Sequence, residues 1–216
     1  SKLINDGEIK GKKGELTLIH TLGKMQAERV IIAGLGKRAD FSTDLIRNTY
    51  AGIVRKLQSL EIDKADTELT KHNIKRISIE MMSQAMIEGW RLGSYRFLKH
   101  KYEKNETSNA CPELTIVESK KASQVELEVG VEAGNIVSEA CILCRDMVNE
   151  PSNLMTPTDM ARIAQEISNN SRIETIILDK GQCQKMGMSA FLGVAKGSAE
   201  APKMIIMNYR GDPQEP

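Results

Sequence analysis

The chain has 216 residues, about one and a half domains at roughly 150 residues each. Apolar residues make up 40% and charged residues 27%, a balance that builds a core and excludes intrinsic disorder. The net charge of +1 excludes whole-surface attraction to nucleic acid or anionic lipid.

The opening, SKLINDGEIKGKKG (Ser1–Gly14), lacks the apolar stretch of a secretory signal. No stretch approaches about 18 uncharged apolar residues, so no membrane span is expected. The first strand candidates are Leu16–Ile19 and Val30–Ala33. Phe41–Leu60 then repeats apolar residues at helical spacing, with Ser42 or Thr43 as cap and Asp44 at the positive end of the dipole. Ile74–Ile79 reads as a strand and Met81–Phe97 as a helix. In that helix Gly89 and Gly93 leave a bare stripe where another element can approach closely.

Lys101–Pro112 is polar and ends in proline, so a loop is expected before a strand at Leu114–Val117 and a second loop at Ser119–Gln124. Glu126–Asn149 is the longest helical pattern, with Cys141 and Cys144 on its apolar face. Asn149–Pro157 (NEPSNLMTP) breaks it. Thr156 is the expected cap of a helix over Thr158–Ser168, Pro157 its first residue and Asp159 its acidic third position. A strand (Ile173–Leu178), a short helix (Lys180–Met186) and a strand (Met204–Met207) follow, reading as a βαβ piece. Strands alternating with helices predict an α/β protein with a mainly parallel sheet.

Several residue groups suggest chemistry. Gly34-x-Gly36-x-x-Ala39 follows a strand, with Asp63 further on, in the pattern of a dinucleotide site. The next helix starts no earlier than Ser42, which favours a plain tight turn. Cys141-x-x-Cys144 lacks a second pair, since Cys111 and Cys183 stand alone. All four cysteines therefore read as reduced thiols in a cytoplasmic protein. His20, His72 and His100 are scattered and form no metal spacing. Trp90–Lys104 joins Arg91, Arg96, Lys99, Lys101 and Lys104 to Trp90, Tyr95, Phe97 and Tyr102. Such mixing of cations and rings is what single-stranded nucleic acid binding uses, but the near-neutral net charge favours a helix end with cations at its negative pole and rings packed on the sheet. Gly193–Pro202 has the look of a phosphate cradle around Lys196, but its spacing favours a turn. Arg210-Gly211-Asp212 is read as chance.

The segment CRDMVNEPSNLMTPTDMA (Cys144–Ala161) resembles the interdomain segment of the leucyl (cytosol) aminopeptidase family, R-D-L-V-N-E-P-x-N-x-L-T-P. Met147 and Met155 replace leucines at similar volume. Val30–Lys37, Glu88–Tyr102 (with Lys101 and Tyr102 transposed) and Met186–Pro202 also resemble family segments.

The resemblance implies a macro-domain-like α/β region at residues 1–123, a linker helix at 124–150 and the start of a catalytic domain at 151–216, truncated at both ends. It implies a cytoplasmic parent enzyme, hexameric, that releases N-terminal residues, preferably leucine, from peptides through two divalent ions, manganese or zinc. The family's metal and catalytic motifs, V-G-K-G-x-x-F-D-S-G-G and N-T-D-A-E-G-R, do not occur in this sequence. No catalytic, cofactor or metal residue is therefore assigned to residues 1–216, and Lys196 is not the metal lysine. The expected role of the segment is structural and oligomerising. A nucleotide- or nucleic-acid-binding α/β module is the alternative.

Overall fold

Residues 2–69, 77–101, 111–118, 121–169, 172–209 and 211 are described by the computed structural model. They fall into two compact units, residues 1–144 and 145–216.

In the first unit, Lys2–Asn5 forms one helical turn, α1. Alternating aliphatics then form β1 (Leu16–His20) and β2 (Arg29–Ala33), an antiparallel pair in register from Leu16 opposite Ala33 to His20 opposite Arg29. The Thr21 hydroxyl donates to the Ala27 carbonyl at 2.7 Å and closes the connecting loop.

Helix α2 (Thr43–Ser59) is capped by Ser42, whose hydroxyl accepts from the Leu45 N–H at 3.2 Å. This satisfies one of the orphan donors of the first turn. The helix buries Leu45, Ile46, Val54 and Leu57 along one face. Strand β3 (Lys64–Glu68) follows, then α3 (Ile79–Ser94), capped by the Ser78 hydroxyl, and β4 (Glu113–Val117). β3 and β4 are parallel, with Lys64 opposite Glu113, and α3 is their crossover.

Two clusters make the core. Ile46, Leu69, Met82, Ala85 and Met86 form one; Val54, Leu57 and Trp90 form the other. Burying Leu57 or Trp90 contributes about 2–3 kcal/mol each. The expected glycine stripe is present. A Cβ on Gly89 would lie 2.3 Å from the Arg47 carbonyl oxygen, and one on Gly93 would lie 2.5 Å from the Ala51 Cα. Hydrogen there lets α2 and α3 pack backbone to backbone.

Helix α4 (Lys121–Asn149) lies along α3 by the same device. The buried Ser83 hydroxyl lies 3.2 Å from the Leu127 carbonyl, close enough to donate, and a Cβ on Gly130 would fall 2.1 Å from that hydroxyl. Further along, Arg91 donates to Asn135 Oδ1 at 2.8 Å and pairs with Glu139 at 3.1 Å.

The second unit contains α5 (Pro157–Asn169), β5 (Ile173–Leu178), α6 (Lys180–Lys185), α7 (Ser189–Ala195) and β6 (Met204–Tyr209). α5 buries Ala161 and Ala164. α6 opens on a reciprocal box: Gln182 N–H donates to Asp179 Oδ1 and Asp179 N–H to Gln182 Oε1, each at 2.8 Å. Cys183 is fully buried.

The α/β reading holds, with three corrections. First, β5 and β6 are antiparallel, Leu178 opposite Met204, so the last piece is not a parallel βαβ. Gly187, at φ +71°, lies just past the end of α6, before α7. Among the described residues only the β3–β4 ladder is parallel.

Second, β3 is a strand that hydrophobicity alone misses. Lys64, Asp66 and Glu68 are exposed, and only Ala65 and Thr67 face inward. Third, the loop expected at Ser119–Gln124 is helical from Lys121. Residues 74–76 of the strand expected at Ile74–Ile79 lie outside the described residues, and Ile79 opens α3. Most of the loop expected at Lys101–Pro112 also lies outside them.

Candidate functional site

The segment from Asn149 to Asp159 is a chain of local caps. α4 closes with the Glu150 N–H donating to Asp146 O at 3.0 Å. Pro151 O then accepts from Leu154 N–H at 2.8 Å and Met155 N–H at 3.0 Å, a tight turn. At Thr156 the expected cap forms in reciprocal style. The Asp159 carboxylate accepts from the Thr156 hydroxyl at 2.6 Å and from its N–H at 3.1 Å, while the Asp159 N–H donates back to Thr156 Oγ1 at 3.3 Å. The Thr156 hydroxyl, more than its backbone N–H or Arg162 nearby, holds the Asp159 carboxyl below the usual aspartate range.

Gly34 and Gly36 do not form a phosphate cradle. The Gly34 N–H donates to Glu15 O at 2.7 Å and the Gly36 N–H to Gly11 O at 2.9 Å. A Cβ on Gly34 would sit 2.2 Å from Lys12 O, and Gly36 holds φ +72°. The glycines thus seat the segment 11–15 against the end of β2, and their N–H groups are consumed. A single 3-10 turn (Arg38–Asp40) follows rather than a helix start. Asp63 is used through its carbonyl, which accepts the Glu113 N–H at 2.7 Å.

Two members of the ring-and-cation patch, Trp90 and Arg91, are taken up by packing and hydrogen bonds within the fold. Trp90 is 3% exposed and donates Nε1–H to Pro112 O at 2.7 Å. Its ring tilts against Tyr50 at 6.4 Å. Arg91 is held by α4. Phe97 lies 5.8 Å from the His100 ring. Tyr102 and Lys104 lie outside the described residues, as do His72, Arg210 and Asp212. Gly193 sits inside α7 and Lys196 caps it, so no phosphate loop forms there.

The cysteines are free: Cys111 and Cys144 exposed, Cys141 half-buried, Cys183 buried. Cys144 therefore departs from the apolar face expected for it. The two divalent ions implied by the family need converging carboxylate or nitrogen donors. Among the described residues no three His, Cys, Asp or Glu side chains come together in that way. The donors present do not fit a metal, and no chemistry is assigned to one held by them. No described helix is long and apolar enough to cross a membrane.

The described residues define an α/β protein of two compact units, the second opening on a run of local caps from Asn149 to Asp159. Residues 1–104 match the family model of the cytosol aminopeptidase family, N-terminal domain, and residues 142–216 match that of its catalytic domain. The chain belongs to the cytosol aminopeptidase family.

It is 36% identical over 216 residues to a probable cytosol aminopeptidase of Alkaliphilus oremlandii, a match covering all of this chain and 43% of that protein. It is 37% identical over 213 residues to one of Alkaliphilus metalliredigens, covering 97% of this chain and 42% of that protein. The chain therefore spans about two fifths of these relatives. Among solved structures, a tomato leucine aminopeptidase mutant superposes with a TM-score of 0.79 at 21% identity, over 95% of this chain and 40% of that one. The bottromycin maturation enzyme BotP in complex with Mn superposes with the same TM-score at 20% identity, over 97% of this chain and 42% of that one. These two likenesses speak to the fold alone.

Proposed function

We propose that residues 1–216 serve as the scaffold portion of a metallo-aminopeptidase. The whole enzyme removes N-terminal residues, preferably leucine, from peptides in the cytoplasm, as a hexamer. Two divalent ions, manganese or zinc, supply the activated water and the carbonyl polarisation when bound. Their ligands lie outside residues 1–216, and no catalytic, cofactor or metal residue is assigned here. Residues 1–123 act as the macro-like domain, 124–150 as the linker helix and 151–216 as the beginning of the catalytic domain.

The observation that carries this reading is the order of the two family matches, N-terminal domain before catalytic domain, on one chain. The capped turn from Pro151 to Asp159 supports a positioning role, because the bonds to Pro151 O and from the Thr156 N–H hold its backbone in place.

The test is hydrolysis of leucine p-nitroanilide with added Mn²⁺ or Zn²⁺. The 216-residue chain and the Alkaliphilus oremlandii relative are assayed side by side. Release of p-nitroaniline is expected from the relative only. Turnover by the chain would overturn the scaffold reading, and an inactive relative would remove the assigned activity.

A further inference from the structure

Cys141 and Cys144 lie three residues apart on α4 (Lys121–Asn149). Both thiols are free, Cys141 half-buried and Cys144 exposed. Of the other two cysteines, Cys111 lies outside this helix and Cys183 is fully buried in the second unit.

Helix geometry decides how the two sulfurs can be joined. Residues three apart are separated by about 4.5 Å along the axis and about 60° around it. Their Cβ atoms are roughly 5–6 Å apart. Helical side chains lean back toward the N-terminus, so the Cys144 thiol leans over the turn that carries Cys141. A disulfide needs Cβ atoms about 3.5–4.5 Å apart, and closing one here would cost α4 its turn. A metal bridge is longer. Two sulfurs in line through one ion are separated by about twice a metal–thiolate bond of roughly 2.2 Å. That span fits Cβ atoms at helical spacing.

The surroundings select the ion. Zinc asks for three or four protein ligands, and manganese for oxygen donors. Among the described residues no third His, Cys, Asp or Glu side chain joins the pair. Val137 precedes Cys141 by one turn and Ala140 precedes Cys144 by one turn, and neither carries a side-chain donor. The Ser138 hydroxyl is committed to Gly134 O at 2.6 Å. Two thiolates without a hard donor make the ligand set of a soft, two-coordinate, monovalent cation.

We propose that Cys141 and Cys144 clasp one copper(I) ion between consecutive turns of α4. Each thiol releases its proton to water as its sulfur takes the ion. One Cu⁺ and two thiols give a bis-thiolate complex and two protons, with no electron transferred. This site does not rest on the proposed function.

The test adds the reduced 216-residue chain, without oxygen, to the coloured copper(I)–bicinchoninate complex and follows the loss of colour. Transfer of one copper per chain is expected. Cys141→Ser and Cys144→Ser are each expected to weaken it at least about tenfold, and Cys111→Ser to leave it unchanged. X-ray absorption of the copper-loaded chain is expected to show a shell of two sulfurs.

If the half-buried Cys141→Ser fails to fold, the exposed Cys144→Ser and the absorption spectrum decide. The proposal is overturned by any of four results: folded Cys144→Ser takes copper as tightly as the unmodified chain, Cys111→Ser weakens the transfer as much, the shell contains nitrogen or oxygen, or copper turns the chain into dimers. The last would place the ion between single thiols of two copies. None of these readouts depends on peptidase activity, so failure here is separate from failure of the assay above.

Discussion

Gly89 faces the backbone of Arg47, and a Cβ there would stand 2.3 Å from the Arg47 carbonyl oxygen and 2.8 Å from its Cα. Both obstacles are main chain, so neither can swing aside. Gly89→Ala is expected to cost about 1–3 kcal/mol by prising α2 from α3, despite the better helix propensity of alanine. Urea denaturation of the two proteins checks it. An unchanged or raised midpoint would show that the helices separate freely.

The side chains beside this contact form the next test. Glu88, with its side chain 7% exposed, accepts from Arg47 Nε and from Gln84 Nε2 at 2.7 Å. Glu88 raises the Arg47 pKa above its usual value, chiefly by that hydrogen bond. Arg47→Met leaves a buried carboxylate that keeps the Gln84 Nε2 donor and loses its cation. The expected loss is about 3 kcal/mol, the low end for a broken buried pair, because Arg47 is itself 36% exposed. Arg47→Met combined with Glu88→Met is expected to recover part of it. A double variant less stable than Arg47→Met would contradict this account.

Trp90 combines packing with one buried hydrogen bond. Trp90→Phe keeps a ring against Tyr50 but leaves Pro112 O without the Nε1–H donor. A loss of about 1–3 kcal/mol is expected. Trp90→Ala opens the core and is expected to cost about 3–5 kcal/mol. Equilibrium unfolding orders the three proteins.

Acid acts on two local carboxylates. The Lys12 N–H (2.9 Å), followed by the Lys10 N–H, holds Glu15 below the usual glutamate range; the Thr156 hydroxyl and N–H hold Asp159 below the aspartate range. A depressed folded value means their stabilisation is complete above the ordinary carboxylate values. It is lost as pH falls through the depressed ones. Exchange at Lys12 and Thr156 is therefore expected to accelerate, beyond its intrinsic pH dependence, only in that acid window. Asp159→Asn removes the acid step at Thr156. Persistence of that step in the variant would assign it to another group.

What the sequence makes legible follows from how local each signal is. Ser42, Thr156 with Pro157, and the Gly89/Gly93 stripe act within a turn or two of helix, and the structure uses each as its chemistry suggests. Lys64–Glu68 does not reveal itself because Ala65 and Thr67 are small. Its strand exists through pairing with β4, 49 residues away in register. The antiparallel pairing of β6 with β5 is a long-range choice of strand direction, which a hydrophobic pattern does not record. Among candidate sites, Gly34 and Gly36 of the glycine turn and Trp90 of the aromatic patch are spoken for within the fold for one reason. Sequence shows donors and rings, but not that Glu15, Gly11 and Pro112 have already taken them.

The Ser83–Gly130 contact works as a detent. Turning α4 about its axis by one residue, about 100°, would drive a valine, Val129 or Val131, onto the hydroxyl and strand it from Leu127 O. Sliding the helix meets the same obstruction. The stretch of α4 that carries Leu127 and Gly130 is thereby clocked as well as held against α3, and Arg91 pins its next turns through Asn135 and Glu139.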